Sequence, residues 1–247
     1  MTLFTNFADD LRVAIIGSSG GIGSGLVELC VNDPKVKRVH ALSRMGVSHP
    51  SPKVSNLTFD FLDEGSIKAA TTALNEVGPI DIVIVASGFL HDENISPEKS
   101  MRSLSYEAFI KNFEINTIGP AMTAKHFLPL LRRDQKAVFA ALSARVGSIS
   151  DNRLGGWYAY RAAKVALNMV IQTLSIEYAR RFKKTVIIGL HPGTVDTGLS
   201  EPFQKNVPDG KLFTPEFSAQ QLLKVINEVE FEDSGHLFAW DGTKVPA

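Results

Sequence analysis

The chain has 247 residues, 44% of them hydrophobic, and its 26 basic and 26 acidic side chains give a formal net charge of zero. This length and apolar content suffice for one large α/β domain, and the balanced charge, without a basic tract, argues against a nucleic-acid partner. With a single cysteine, no run apolar enough to span a bilayer and no signal-peptide pattern at the N-terminus, the expected location is the cytoplasm, away from membranes.

The first predicted element is a short buried strand, Val13–Ile16, which leads into a glycine-rich loop and then a helical pattern. Strand, glycine loop and helix in this order place backbone N–H groups where a pyrophosphate binds. Gly17 is expected to make the tight turn, Gly21 to let the backbone approach the phosphates, and Gly23 to allow close packing of helix on strand. The predicted cofactor contacts of this loop are Gly17, Ser19, Gly21, Ile22 and Gly23.

The second strand, 36–42, ends at Ser43 and Arg44, where a dinucleotide-binding unit meets the adenosine ribose. A carboxylate there selects NAD, whereas an arginine accommodates the 2′-phosphate of NADP. Since the segment offers Ser43 and Arg44 but no carboxylate, NADP(H) is predicted rather than NAD(H). The alternative is an ordinary surface arginine. A third strand, 57–61, brings Asp60 and Phe61 towards the adenine.

The fourth strand, 80–86, is continuously apolar and ends at Ser87 and Gly88, two further predicted cofactor contacts. A long helix is predicted from Tyr106 to Leu131 with Asn116 near its middle. Asparagine is unfavourable inside a helix, so Asn116 indicates a kink, a buried hydrogen bond or a site residue.

The fifth strand, 136–142, leads to Ser143, and a second long helix is predicted from Trp157 to about Phe182. Tyr160 and Lys164 are four residues apart and therefore share one face of that helix. A cation beside a phenol lowers its pKa from about 10 towards the range useful for acid–base catalysis. Taken alone, the pair is equally consistent with an amphipathic helix face.

The last third of the chain predicts a sixth strand, 185–190, a loop with Pro192, Gly193, Val195 and Thr197, and an irregular segment, 198–213, suited to a lid. A helix, 218–229, and a closing strand, 237–240, follow. Alternating strands and helices predict a single doubly wound Rossmann-type domain over 1–247, with a seven-stranded, mainly parallel sheet and helices on both faces.

In this order the motifs resemble those of the short-chain dehydrogenase/reductase family over nearly the whole chain. The matching residues are Gly17-x-x-x-Gly21-x-Gly23, Asn116, Ser143 to Gly147, Tyr160-x-x-x-Lys164 and Pro192-Gly193-x-x-x-Thr197. The stretch GSISDNRLGGWYAYRAAKVALN is similar to the C-factor and sniffer-type carbonyl reductase subgroup.

The resemblance implies an NADP(H)-dependent oxidoreductase that interconverts a small carbonyl compound and an alcohol. It implies that Tyr160 exchanges the proton, that Lys164 holds the nicotinamide ribose and lowers the tyrosine pKa, and that Asn116 holds a connecting water. Val195 and Thr197 would contact the carboxamide. It also implies a homodimer or homotetramer formed through the two long helices.

Two departures from the family pattern stand out. The usual Asn-Asn-Ala-Gly after the fourth strand is Val85-Ala86-Ser87-Gly88, and the usual catalytic serine is replaced by Ala144. Ser143 is the first candidate to replace that serine and Ser148 the second; the third possibility is that no serine serves. Ala144 therefore leaves a second hypothesis open, a weakly active or inactive dinucleotide-binding signalling protein of the C-factor type.

Other features give weaker indications. His191 precedes Pro192 at a strand end and is interpreted as structural, with an extra polar contact as the alternative. The scattered histidines show no ligand spacing, so no metal site is predicted. The substrate is not readable, although an apolar pocket is suggested by Phe89, Leu90, Trp157, Phe203 and Phe213.

Overall fold

The structure, a computed structural model, describes residues 2–46 and 48–247. Within these residues the chain forms ten strands and six α-helices. The strands are β1 Leu11–Ile16, β2 Val36–Ser43, β3 Val54–Thr58, β4 Ile82–Val85, β5 Ala137–Leu142, β6 Thr185–His191, β7 Thr194–Val195, β8 Leu212–Phe213, β9 Leu237–Ala239 and β10 Lys244–Val245. The helices are α1 Gly21–Asn32, α2 Glu64–Val77, α3 Tyr106–Phe113, α4 Gly119–Phe127, α5 Tyr158–Ala179 and α6 Pro215–Glu228.

Eight of the described strands form one sheet in the order β10-β9-β6-β5-β4-β1-β2-β3. All neighbours are parallel except β10, which pairs antiparallel with β9. The order reverses at β1, whose neighbours are β2 and β4. In a doubly wound sheet, the crevice at such a reversal is where ligands bind. The predicted fold class is confirmed, but the sheet has eight strands rather than seven, because β10 is a two-residue edge strand too short to leave a pattern.

Helices cover both faces of the sheet. Val13 and Ile15 of β1 belong to a core shared with α1 and α6, whereas Ala14 and Ile16 belong to a core shared with α2, α4 and α5. Successive strand residues point to opposite faces, so strands buried on both sides must be apolar throughout. None of the helices formed by the described residues combines the length and apolarity needed to cross a bilayer.

The first long predicted helix is continuous but irregular. Between α3 and α4 the backbone is π-helical from Glu114 to Ile118, and a 3₁₀ turn over Leu128–Leu130 ends the helix. Single π-helical turns inside α-helices are frequent at functional sites. Asn116 lies within this turn.

Two predicted boundaries differ from the structure. The third strand spans Val54–Thr58 rather than 57–61, because pairing with Val39–Ser43 of β2 ends at Thr58. The segment 198–213 contains a 3₁₀ helix over Glu201–Asn206 and ends in β8, which pairs with β7. The ends of that segment are therefore joined by a short ladder.

Candidate active site

A cleft of about 740 Å³ lies at the carboxyl ends of β1, β4, β5 and β6. It is lined by most of the predicted site residues: Gly17, Ser19, Gly21, Ile22, Ser43, Arg44, Asp60, Phe61, Ser87, Gly88, Ser143, Tyr160, Lys164, Pro192, Gly193, Val195 and Thr197. Gly23 and Asn116 are absent from this lining and lie behind it. The fold therefore gathers residues from the whole chain into one crevice.

The glycine turn at the end of β1 requires glycine for steric reasons. Gly17 has φ +84°, a conformation that side chains rarely adopt. A Cβ on Gly23 would lie 2.1 Å from the carbonyl oxygen of Gly17, and one on Gly21 would lie 2.7 Å from Cγ2 of Thr197. Gly23 therefore allows the close packing of helix on turn that the sequence predicts, while Gly21 brings the start of α1 against the segment after β6.

At the end of β2, the hydroxyl of Ser43 is buried and has no hydrogen-bond partner. A buried polar atom without a partner is rare and calls for an explanation. Ser43 lines the cleft next to the exposed Arg44, and so do Asp60 and Phe61, which follow the neighbouring strand β3. This end of the cleft thus offers a hydroxyl without a partner, an exposed cation and an aromatic ring.

Asn116 ties the long helix to the turn after β4. Its Oδ1 accepts a hydrogen bond from the Phe89 N–H at 3.0 Å, and its Nδ2 donates to the Phe89 carbonyl at 2.7 Å and to Oδ1 of Asn112 at 3.1 Å. The side chain is fully buried. Its amide therefore holds the backbone of Phe89 and is linked to Asn112, while its role in binding a water stays a prediction.

Tyr160 and Lys164 lie one helical turn apart on α5 and both line the cleft. Nζ of Lys164 lies 5.6 Å from the centroid of the Tyr160 ring and donates a hydrogen bond to the carbonyl of Leu142 at 2.8 Å. A Cβ on Gly147 would lie 2.8 Å from Cβ of Lys164, so this glycine lets the loop after β5 approach α5 closely. The pair thus sits where the end of β5 meets the helix.

Burial controls the protonation of both groups. It raises the pKa of the Tyr160 phenol above its ordinary value and lowers the pKa of the Lys164 ammonium to about 7. The direction for Tyr160 is the opposite of the sequence prediction. The sequence spacing of Tyr160 and Lys164 shows that a cation is near the phenol. It does not show that both groups lose contact with water on folding.

The serine candidates are both occupied elsewhere. The hydroxyl of Ser143 donates to Oδ1 of Asn168 on α5 at 2.7 Å. The hydroxyl of Ser148 donates to the carbonyl of Ala247 at 3.3 Å and accepts from the Asp151 N–H at 3.1 Å, and Ser148 does not line the cleft. Ser143 contributes to the cleft wall, but its hydroxyl is held by α5. Ala144 lines the cleft at the position of the expected serine.

An aromatic cluster lies over the Tyr160 end of the cleft. Phe203, on the 3₁₀ helix of segment 198–213, contacts Trp157 with ring centroids 5.0 Å apart and His91 with centroids 5.7 Å apart. Nε2 of His91 lies 3.1 Å from the carbonyl oxygen of Gly198 and 3.2 Å from that of Leu199. His91 was not predicted as a site residue, because it falls in a polar loop without a motif.

Trp157 precedes α5 with φ +50°, a left-handed conformation that is unusual for a bulky residue. Its N–H donates to the carbonyl of Glu98 at 2.6 Å, and the Glu98 carboxylate accepts from the Ala159 N–H at 3.3 Å. Glu98 therefore fixes the start of the helix that carries Tyr160.

Of the residues suggested for an apolar pocket, Phe89, Leu90, Trp157 and Phe203 line the cleft. Phe213 does not: its ring packs on Trp240 with centroids 4.6 Å apart and crowds Gly193. Gly193 has φ +80°, which places Pro192 and Val195 on the cleft wall.

Comparison with known proteins agrees with this geometry. C-signal from Myxococcus xanthus is 33% identical over 169 residues, which are 68% of this chain and 93% of that protein. An NADPH-bound carbonyl reductase from chicken fatty liver has the same fold, with a TM-score of 0.82 and 23% identity over 98% of this chain and 100% of that one.

Carbonyl reductase Sniffer of D. melanogaster also shares the fold, with a TM-score of 0.82 and 20% identity over 97% of this chain and all of that one. The sequence model described as short chain dehydrogenase matches residues 12–208, from β1 through the cleft-lining segment after β6. The chain therefore belongs to the short chain dehydrogenase family of oxidoreductases.

Proposed function

We propose that the protein is an NADP(H)-dependent carbonyl reductase of the alcohol dehydrogenase type that uses Tyr160 and Lys164 as its proton-transfer pair. The observation that carries this proposal is that both side chains line the same cleft as the glycine turn after β1. A nucleotide seated over the start of α1 would extend towards the phenol.

The residues at the adenosine end fit NADP(H). Backbone N–H groups at the start of α1 favour a pyrophosphate, and the three glycines leave no room for side chains there. The unpartnered hydroxyl of Ser43 and the guanidinium of Arg44 suit a 2′-phosphate, for which arginine offers a fixed fork of donors. The bound NADPH of the chicken carbonyl reductase supports the same choice.

The bound cofactor would supply a hydride to the carbonyl carbon of the substrate. Tyr160 then donates its phenolic proton to the carbonyl oxygen, and Lys164 stabilises the phenolate left behind. The raised pKa of Tyr160 keeps the phenol protonated at neutral pH, which is the form that reduction requires. Asn116 positions Gly88 and Phe89 beside this pair through its bonds to the Phe89 backbone.

Segment 198–213 is proposed as a lid over the substrate. The contacts of Phe203 with Trp157 and His91 support a lid above the Tyr160 end of the cleft rather than the adenosine end. Closure of such segments excludes water from the reacting groups. The aromatic lining favours a substrate with an apolar group next to its carbonyl.

The experiment that tests the proposal compares the unaltered chain with Tyr160→Phe. The unaltered chain is expected to oxidise NADPH when offered a panel of aldehydes and ketones, and to bind NADPH more tightly than NADH. Tyr160→Phe removes the proton donor alone, so turnover is expected to fall by about three orders of magnitude or more, while NADPH affinity stays within a few-fold. Turnover unaffected by the substitution would refute the assignment of Tyr160.

The alternative is a dinucleotide-binding signalling protein with little activity. Two observations favour it: the similarity to C-signal and the alanine at position 144. It predicts NADPH binding without turnover on the whole carbonyl panel, and a cellular effect that Tyr160→Phe leaves intact. The same experiment therefore separates the two functions.

A further inference from the structure

The cleft has a gap in its hydrogen-bond donors at Ala144. A carbonyl oxygen gains negative charge during reduction, and a second donor beside Tyr160 stabilises that charge. Ala144 has no hydroxyl, the hydroxyl of Ser143 is held by Asn168, and Ser148 lies outside the cleft lining. Efficient reduction in this cleft therefore calls for another donor in that position.

His191 lies beside this gap. Leu142 of β5 pairs with Leu190 of β6, and the Ser143 N–H donates to the Leu190 carbonyl at 2.7 Å. His191 therefore stands next to Ser143 on the neighbouring strand, where both strands reach the cleft. It lines the cleft together with Ala144 and Tyr160.

The burial of the ring defines which edge of it faces the cleft. Nδ1 of His191 is buried and has no hydrogen-bond partner. Because His191 lines the cleft while its Nδ1 is buried, we infer that the edge that carries Nε2 faces the cleft. A proton on Nδ1 would leave a buried N–H donor without an acceptor. This costs more free energy than a buried, unprotonated Nδ1 without a donor. The neutral ring therefore carries its proton on Nε2.

We propose that His191 is a catalytic residue whose Nε2–H donates a hydrogen bond to the substrate carbonyl oxygen, in place of the hydroxyl missing at position 144. The inference rests on the proposed function. His191 transfers no proton, because Tyr160 supplies the one that the product keeps. The ring must stay neutral while it does this.

The surroundings of the ring keep it neutral. Burial and the positive charge of Arg145 lower the pKa of His191 to about 4, against a smaller raising effect of Asp241. At pH 7 the imidazole is uncharged, so only one ring nitrogen carries a proton. Burial and Arg145 thus outweigh Asp241 and favour the neutral ring that the donor role requires.

The test is a rescue experiment on the full chain with NADPH and one carbonyl substrate that the unaltered chain reduces. His191→Phe keeps a planar ring and removes the donor, so kcat is expected to fall about 100-fold with NADPH affinity unchanged. Adding Ala144→Ser to that variant is expected to restore kcat at least about tenfold, while His191→Gln, which keeps an N–H donor, loses less than His191→Phe. His40→Gln, at a buried histidine outside the cleft, serves as the control.

A second readout does not depend on turnover. In ¹⁵N spectra of histidine-labelled protein, the signals lost in His191→Gln are expected to report a neutral ring protonated on Nε2 at pH 7. Wild-type kcat in His191→Phe, no rescue by Ala144→Ser, or a proton on Nδ1 would each overturn the inference alone. An unaltered chain that binds NADPH but reduces no carbonyl would overturn the proposed function as well.

Discussion

The side chains that carry the proposed chemistry differ in how far they can be predicted from the sequence. The spacing of Tyr160 and Lys164 depends on one helix, so the sequence places them together on the cleft wall. Their pKa values depend on water excluded by the strands and loops around α5, which no local pattern contains. The direction of the Ser143 hydroxyl depends on Asn168, a residue 25 positions later. Contacts of that kind are invisible to a motif.

Lys164 links the proton equilibrium of the site to the stability of the fold. Its pKa falls from 10.5 to about 7 on folding, so between these values the unfolded chain binds more protons than the folded one. The free energy of unfolding therefore rises with pH across that window. The gain in the free energy of unfolding begins near pH 7 and is complete above pH 10.5, where Lys164 is neutral in both states.

We expect chemical denaturation to give a higher free energy of unfolding at pH 9 than at pH 7.5 for the unaltered chain. The increase should be smaller for Lys164→Met. The unaltered chain should gain roughly 1–2 kcal/mol more than the variant over that interval. Other titrating groups cancel in the comparison. Identical pH dependence of the two proteins would contradict the assigned burial of the ammonium.

At the scale of elements, the glycine turn shows that a motif and its close packing can be predicted, whereas the atoms that come into contact cannot. The sequence places Gly17, Gly21 and Gly23 between strand and helix. Only the structure shows that Gly23 meets the backbone of Gly17, whereas Gly20 is free of such crowding, its nearest neighbour lying 3.4 Å from a Cβ. The two positions form a matched pair for mutation.

Gly23→Ala is expected to lower the free energy of unfolding by about 2–3 kcal/mol and to weaken NADPH binding at least about tenfold, because α1 must move away from the turn. Gly20→Ala should change stability by no more than about 1 kcal/mol, since φ −77° suits alanine at that position. Differential scanning calorimetry and NADPH titration measure both effects. Equal effects of the two substitutions would show that the close contact between Gly23 and Gly17 does not determine stability or NADPH binding.

Strand boundaries were less predictable than the elements themselves. The apolar pattern Leu57, Phe59 and Phe61 continues past Thr58, but the strand register with β2 ends there, and the last hydrogen bond runs from the Phe59 N–H to the Ser43 carbonyl at 3.1 Å. Phe59 and Phe61 instead form an edge-to-face pair with ring centroids 5.3 Å apart, and both line the cleft. An alternating apolar pattern indicates which side chains are buried. A residue can be buried without pairing with a neighbouring strand.

For the whole molecule, the alternation of strands and helices was sufficient to predict a doubly wound sheet with one ligand crevice. It could not supply β10 or the pairing of β7 with β8, because two-residue strands leave no periodic pattern. The assembly of several chains also lies beyond the pattern. The two long helices nevertheless expose several large apolar side chains: Tyr106, Ile110, Ile118, Tyr158, Met169 and Ile176.

We propose that these helices pair two copies of the chain, since scattered exposure alone would not place so many apolar groups on neighbouring helices. Light scattering after size exclusion should report a dimer or tetramer for the unaltered chain. Met169→Arg combined with Ile118→Arg should yield monomers, because each subunit would bury unpaired charge at the interface. The control is Met45→Arg, at a methionine outside these helices that is more exposed, at 94% against 65% for Met169. A monomeric unaltered chain would exclude this arrangement.

The short ladder between β7 and β8 has a mechanical consequence for substrate entry. Thr194 pairs with Leu212 and Val195 with Phe213. The segment between these two strands is therefore a closed loop that is held together at its base. If the segment acts as the proposed lid, we expect it to move as a unit, with Phe203 moving farthest and the paired strands least. Ligands would then arrive past the aromatic tip, between His91 and Trp157, rather than beneath the base beside the phosphate turn. Nucleotide and substrate would then enter the cleft by separate routes.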